Sequence, residues 1–135
     1  MFSVLIVEDN RGDIDLLLEC LDPIGAQCVI ASDGPDALRH LRSPDAYQTD
    51  LVILDLNLPG MNGREVLQEI RSDAHLRLTP VIVLSHSDGP LDVAAVYRLG
   101  ANCYIRKPDT LGALRKAVWQ IEEFWLGLVK LPSRV

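Results

Sequence analysis

Short, unbroken apolar runs constrain this chain more than any other feature. Leu51-Val52-Ile53-Leu54 and Val81-Ile82-Val83-Leu84 contain no polar residue, and Phe2 to Val7 is interrupted only by Ser3. A strand with one face in water alternates polar and apolar residues. A strand without alternation needs cover on both faces, which a parallel sheet flanked by helices provides. The segments between these runs have helical spacing instead. Ile14, Leu17, Leu18 and Leu21 form one apolar stripe, stopped by Pro23 and Gly25. Cys28 to Ala31 reads as a second strand, and Ser32 or Asp33 caps a helix carrying Ala37, Leu38 and Leu41. Asn62 and Gly63 open a helix with Val66, Leu67 and Ile70 on one face. Pro80 is tolerated at the start of the fourth strand, Val81 to Leu84. Pro90 to Leu99 is a helix closed by Gly100, and Cys103 to Ile105 a short fifth strand. Asp109 or Thr110 then caps a long helix through Leu111, Leu114, Val118 and Ile121, reaching toward Trp125. Five strands alternating with five helices predict a doubly wound α/β domain with a five-stranded parallel sheet.

The 135 residues suit one such domain and are too few for a second. A formal charge of -6 with no basic run argues against general binding of nucleic acid or anionic membrane. Cys20, Cys28 and Cys103 include no C-x-x-C pair and read as small buried or half-buried thiols rather than a metal or redox site. Met1 leads straight into a strand pattern without a basic, cleavable leader, and no apolar run approaches a membrane span. These features predict a cytoplasmic protein.

In an open parallel sheet, ligands bind at the carboxyl ends of the strands. The first strand ends at Glu8 and Asp9, the third at Asp55, the fourth at Ser85 and the fifth at Lys107. Carboxylates brought together repel and raise one another's pKa unless a cation joins them. A shallow, oxygen-only set suits Mg²⁺, which takes one or two carboxylates, waters and a phosphate oxygen. An Asp in this position can attack phosphorus to form an acyl phosphate. Mg²⁺ and Lys107 would neutralise charge on the transferring group, and Ser85 would hydrogen-bond a phosphoryl oxygen.

Val7-Glu8-Asp9-Asn10, the run Leu54 to Gly63 (LDLNLPGMNG), Leu84-Ser85 and Lys107-Pro108 together resemble the receiver domain of bacterial two-component response regulators. The resemblance covers nearly the whole chain and implies the flavodoxin-like (CheY-like) strand order 2-1-3-4-5. It implies that Asp55 is the phosphoacceptor and that Glu8, Asp9 and Asp55 hold Mg²⁺ together with the backbone carbonyl of Asn57. Ser85 and Tyr104 would be the switch pair, Lys107 would contact the phosphoryl group, and the Lys107–Pro108 bond would be cis. The phosphodonor would be a sensor histidine kinase or a phosphotransfer protein. Where the family commonly has a small residue after Ser85, this chain has His86, whose bulk bears on donor access and on the lifetime of the phosphorylated state.

The receiver domain is expected over residues 1–123, with no output domain, so signalling would run through contacts with a downstream protein. Residues 124–135 form an apolar extension, Phe124-Trp125-Leu126-Gly127-Leu128-Val129-Lys130-Leu131-Pro132 and onward. It either folds back on its own domain or makes a homodimer contact, and the dimer is the expectation. The extension and the Asn10-x-Gly12-Asp13 loop resemble the stand-alone regulators that partner phytochromes, although Arg11 replaces the more usual proline. A phosphorelay shuttle and a pseudo-receiver interaction module are the alternatives in the same fold. An aspartate-nucleophile phosphatase is disfavoured because Asn57 stands where such enzymes carry a second acid. A flavodoxin is disfavoured by the acidic loop after the first strand, where a flavin phosphate needs donors.

Overall fold

The computed structural model describes residues 2–43 and 49–132. Residues 133–135 of the apolar extension lie outside the described residues. The elements alternate along the chain as β1 (Ser3–Val7), α1 (Arg11–Leu21), β2 (Gln27–Ala31), α2 (Gly34–Arg42), β3 (Leu51–Leu54), α3 (Gly63–Ser72), β4 (Val81–Ser85), α4 (Pro90–Arg98), β5 (Cys103–Arg106) and α5 (Leu111–Ile121). All four strand pairings are parallel, and the order across the sheet is β2-β1-β3-β4-β5. This is the expected α/β doubly wound, flavodoxin-like arrangement.

The apolar runs are buried on both faces, as their lack of alternation requires. Successive residues of β1, β3 and β4 point to opposite sides. Leu5, Val7, Val52, Leu54, Val81 and Val83 join one cluster with the apolar stripes of α2 and α3. Val4, Ile6, Leu51, Ile53, Ile82 and Leu84 join the other, against α1 and α5. Side-chain caps start four of the five helices: Asn10, Asp33, Asn62 and Thr110 each accept a hydrogen bond from a backbone N–H three residues on. Where the sequence left Ser32 or Asp33, and Asp109 or Thr110, the caps are Asp33 and Thr110.

Three local expectations change. Leu111 is 69% exposed at the first position of α5 rather than on its buried face, because the stripe that meets the sheet is Leu114, Val118 and Ile121. Beyond Ile121 the helix widens into a π-helical turn, Glu122–Leu126, which carries Trp125 and Leu126 back toward the domain. The Lys107–Pro108 bond is trans, as are all described peptide bonds. The two isomers of an X–Pro amide differ by only about 0.5–1 kcal/mol, so proline alone does not dictate cis. Among the described residues, no helix is long and apolar enough to cross a membrane.

Candidate functional site

Parallel pairing of β1 with β3 brings the ends of these two strands together at the carboxyl edge of the sheet. Val7 pairs in register with Leu54, so Glu8 and Asp55 follow side by side. The backbone N–H of Asp55 donates to the Val7 carbonyl at 2.9 Å, which extends the ladder one residue into the site. Carboxylate oxygens of Glu8, Asp9 and Asp55 lie within 4.8 Å of one another. Glu8 and Asp55 are buried, whereas Asp9 is exposed and leaves one side open to water.

Lys107 reaches into this cluster from the end of β5 and is 1% exposed. Its backbone N–H donates to the Ser85 carbonyl at 2.7 Å. Its ammonium pairs with Glu8 Oε1, with Asp13 Oδ2 at 2.9 Å, and with Asp55 Oδ2 at 3.5 Å. Burial pulls the lysine's pKa down, but its bonds to Asp13 and Glu8 outweigh that, and it sits above the ordinary lysine value. Glu8 moves the other way for an acid. Burial, reinforced by a hydrogen bond with Asp55 and opposed by Lys107, pushes its carboxyl up to about 7. The second Glu8 oxygen accepts from the backbone N–H groups of Asp9 (3.1 Å) and Asn10 (3.3 Å), which tie it to the entrance of α1.

Asp55 Oδ1 accepts from the backbone N–H of Asn57 at 3.3 Å, so the turn after β3 folds around the carboxylate. That turn depends on Gly63. A Cβ there would lie 2.5 Å from the Asp55 carbonyl oxygen and 2.6 Å from the Leu56 Cα, closer than side chains tolerate. Glycine lets the start of α3 pack directly beneath the acidic residue. Ser85, at the end of β4, is fully buried, and its Oγ has no hydrogen-bond partner. Buried hydroxyls are almost always satisfied, so an orphaned one beside an acidic cluster points to a ligand oxygen.

Tyr104, half-buried on β5, donates its hydroxyl hydrogen bond to the Ser87 carbonyl, in the loop that follows Ser85. The two residues expected as a switch pair are thereby linked through the β4–α4 loop. His86 is exposed on that loop. The three thiols are unpaired, and burial raises the pKa of each, Cys28 to about 11. The raised values favour the neutral thiol over the thiolate.

Glu8, Asp9, Asp55, Ser85 and Lys107 thus converge, with Asn57 at the rim and Tyr104 one loop away. Asp13 was not singled out from the sequence as a site residue. Its signal was there, an acid in the first turn of α1 just past the Glu8-Asp9 pair, but only the fold shows that it reaches Lys107. An all-oxygen cluster with one open side fits a divalent cation that keeps some of its water.

A parallel sheet of this order, with an acidic cluster, a buried lysine and an orphaned serine at its carboxyl edge, defines a class, and residues 4–119 match the response regulator receiver domain. The chain belongs to that family. It is 41% identical to the response regulator Rcp1 of a Synechocystis strain over 96% of this chain and 92% of that protein. The solved structure of the Mn²⁺-bound form of Rcp1 superposes with a TM-score of 0.94 at 39% identity, covering 98% of this chain and 100% of that one. The phosphorylated cyanobacterial phytochrome response regulator RcpA also gives 0.94, at 43% identity and with 98% and 99% covered. A response regulator in red light signalling of R. palustris gives 0.87 at 30% identity, covering 98% and 99%. Receiver domains of two-component systems interact with histidine kinases, and phosphorylation on an aspartate is typical of the family.

Proposed function

We propose that this chain is a phosphorylation switch that takes a phosphoryl group onto Asp55 from a phosphohistidine of a sensor kinase or phosphotransfer protein. One observation carries the reading: a buried carboxylate, an ammonium 3.5 Å from it and a buried hydroxyl without a partner meet at neighbouring strand ends. Asp55 Oδ attacks phosphorus, the P–N bond of the donor breaks, and the imidazole keeps the electron pair and takes a proton. Lys107 faces the negative charge that arrives with the phosphoryl group, and Ser85 Oγ donates to one of its oxygens. Glu8, Asp9, Asp55 and the backbone carbonyl of Asn57 would hold Mg²⁺, which shields the approaching anions from one another when bound. Stoichiometric transfer of this kind is a switch rather than turnover.

Movement of Ser85 toward the phosphoryl group draws on the loop to which Tyr104 is bonded, so these two residues transmit the change to the outer face. Likeness to regulators of phytochrome and red-light pathways supports a phytochrome-type kinase as donor, and a cytoplasmic site of action goes with that reading. The exposed apolar side chains near the carboxyl end support a homodimer. The test is intact mass after incubation with acetyl phosphate. A single phosphoryl adduct is expected with Mg²⁺, none with chelator, and none in Asp55→Asn. An adduct that persists in Asp55→Asn would place the acceptor elsewhere.

A further inference from the structure

We propose that Asp13 is a positioning residue: by holding the Lys107 ammonium, it frees Glu8 and Asp55 to engage a divalent cation. The inference rests on the metal reading above and concerns a residue that the reading does not use.

A lysine ammonium has three hydrogens to donate. Here its three carboxylate neighbours are Glu8, Asp13 at 2.9 Å and Asp55 at 3.5 Å. Two of these also belong to the oxygen cluster that fits a cation, and Asp13 does not. Cation and ammonium therefore compete for Glu8 and Asp55. A buried ammonium stripped of its counter-charges is strongly disfavoured, and the Lys107 side chain is only 2% exposed. The outcome depends on what partner the ammonium retains once those two carboxylates turn to the metal. Asp13 is that partner.

Its placement is built into α1. The backbone N–H of Asp13 donates to Asn10 Oδ1 at 3.0 Å, and that of Asn10 donates to Glu8 Oε2 at 3.3 Å. Helix cap, Glu8 and Asp13 are thus one connected unit. The Asp13 side chain is 15% exposed, enough to shelter the contact and leave it outside the cluster. Residues that orient metal ligands without touching the metal typically change affinity by about 10- to 100-fold when removed.

The test is a Mg²⁺ titration by calorimetry on four full-length proteins: the parent, Asp13→Asn, Lys107→Met and the double variant. Asp13→Asn keeps the shape and an acceptor oxygen but removes the charge. With Lys107 present, it should weaken Mg²⁺ binding about tenfold. Without Lys107 there is no ammonium to hold, and the same change should move the affinity by less than about twofold. Equal weakening in both backgrounds would mean that Asp13 acts on the cation directly and would overturn the proposal, as would unchanged affinity in the single variant. If Lys107→Met does not fold, Lys107→Gln closes the same cycle. A parent chain that binds no Mg²⁺ would remove the metal reading and this inference with it, whereas failure of the cycle alone leaves the metal site standing.

Discussion

At the scale of single residues, Glu8 holds the most unusual position: buried, beside Asp55, and sharing Lys107 with two other acids. Folding moves its carboxyl from the ordinary 4.5 up to about 7, chiefly through burial. Between those values the folded chain keeps a proton that the unfolded chain has released. The metal-free protein therefore loses stability as pH rises through this window, and below it the group makes no difference. A bound cation favours the ionised carboxylate, and any ligand of the folded state raises the melting temperature. Added Mg²⁺ should accordingly raise the melting temperature more at about pH 8 than at about pH 5. Thermal melts with Mg²⁺ and with chelator at the two pH values check this, and equal shifts would take Glu8 out of the metal site.

Among the elements, α4 differs from its neighbours in how it is held. Val96 is its one buried residue, whereas α3 buries Gly63, Val66, Leu67 and Ile70. Polar ties do the rest at its start. Arg64 of α3 pairs with Asp92, Ser87 Oγ donates to Asp92 at 2.8 Å, Tyr104 is bonded to the Ser87 carbonyl, and Arg106 lies 3.2 Å from Asp88. Arg64, Ser87 and Asp92 also border a cavity of about 150 Å³, lined besides by Leu56, Asn57 and Asn62, next to the Asp55 turn. Ion pairs this exposed contribute little to global stability but can set how readily a segment opens. Arg64→Ala should leave the melting temperature nearly unchanged and speed amide exchange several-fold over residues 86–93. A thermal melt and hydrogen exchange with mass detection check the two parts, and protection of that loop equal to the parent's would remove the tie.

For the molecule as a whole, the carboxyl-terminal segment bears on both sequence readings, because a helical turn divides its side chains between core and surface. Leu126 is buried, and Trp125 and Leu131 pack on the α1–α5 core. Phe124 and Leu128, one turn apart through the bond from the Leu128 N–H to the Phe124 carbonyl, are 51% and 75% exposed, and Trp119 of α5 is 53% exposed. Truncation after residue 123 would therefore strip the core as well as the surface. Substitution separates the two roles. Phe124→Asp with Leu128→Asp should turn the proposed dimer into a monomer and remove only the concentration-dependent part of the stability. Leu126→Ala should keep the dimer and lose about 2–4 kcal/mol of stability. Sedimentation velocity and denaturant unfolding distinguish these outcomes, and a parent chain that is monomeric throughout would end the dimer reading.

Strand periodicity, part of the helix capping and the residues at strand ends were legible in the chain itself. Burial on both faces follows from runs such as Leu51 to Leu54, and with the sheet parallel, Glu8, Asp9, Asp55, Ser85 and Lys107 had to share one edge. These are local or topological facts, and a one-dimensional pattern contains them. Three-dimensional approach is different. That Asp13 meets Lys107 across 94 positions, that Gly63 leaves room for the Asp55 carbonyl, and that the apolar tail is half inside and half out depend on which surfaces pack together. Spacing along a chain specifies the face a side chain occupies, and only the packed fold specifies what stands opposite that face.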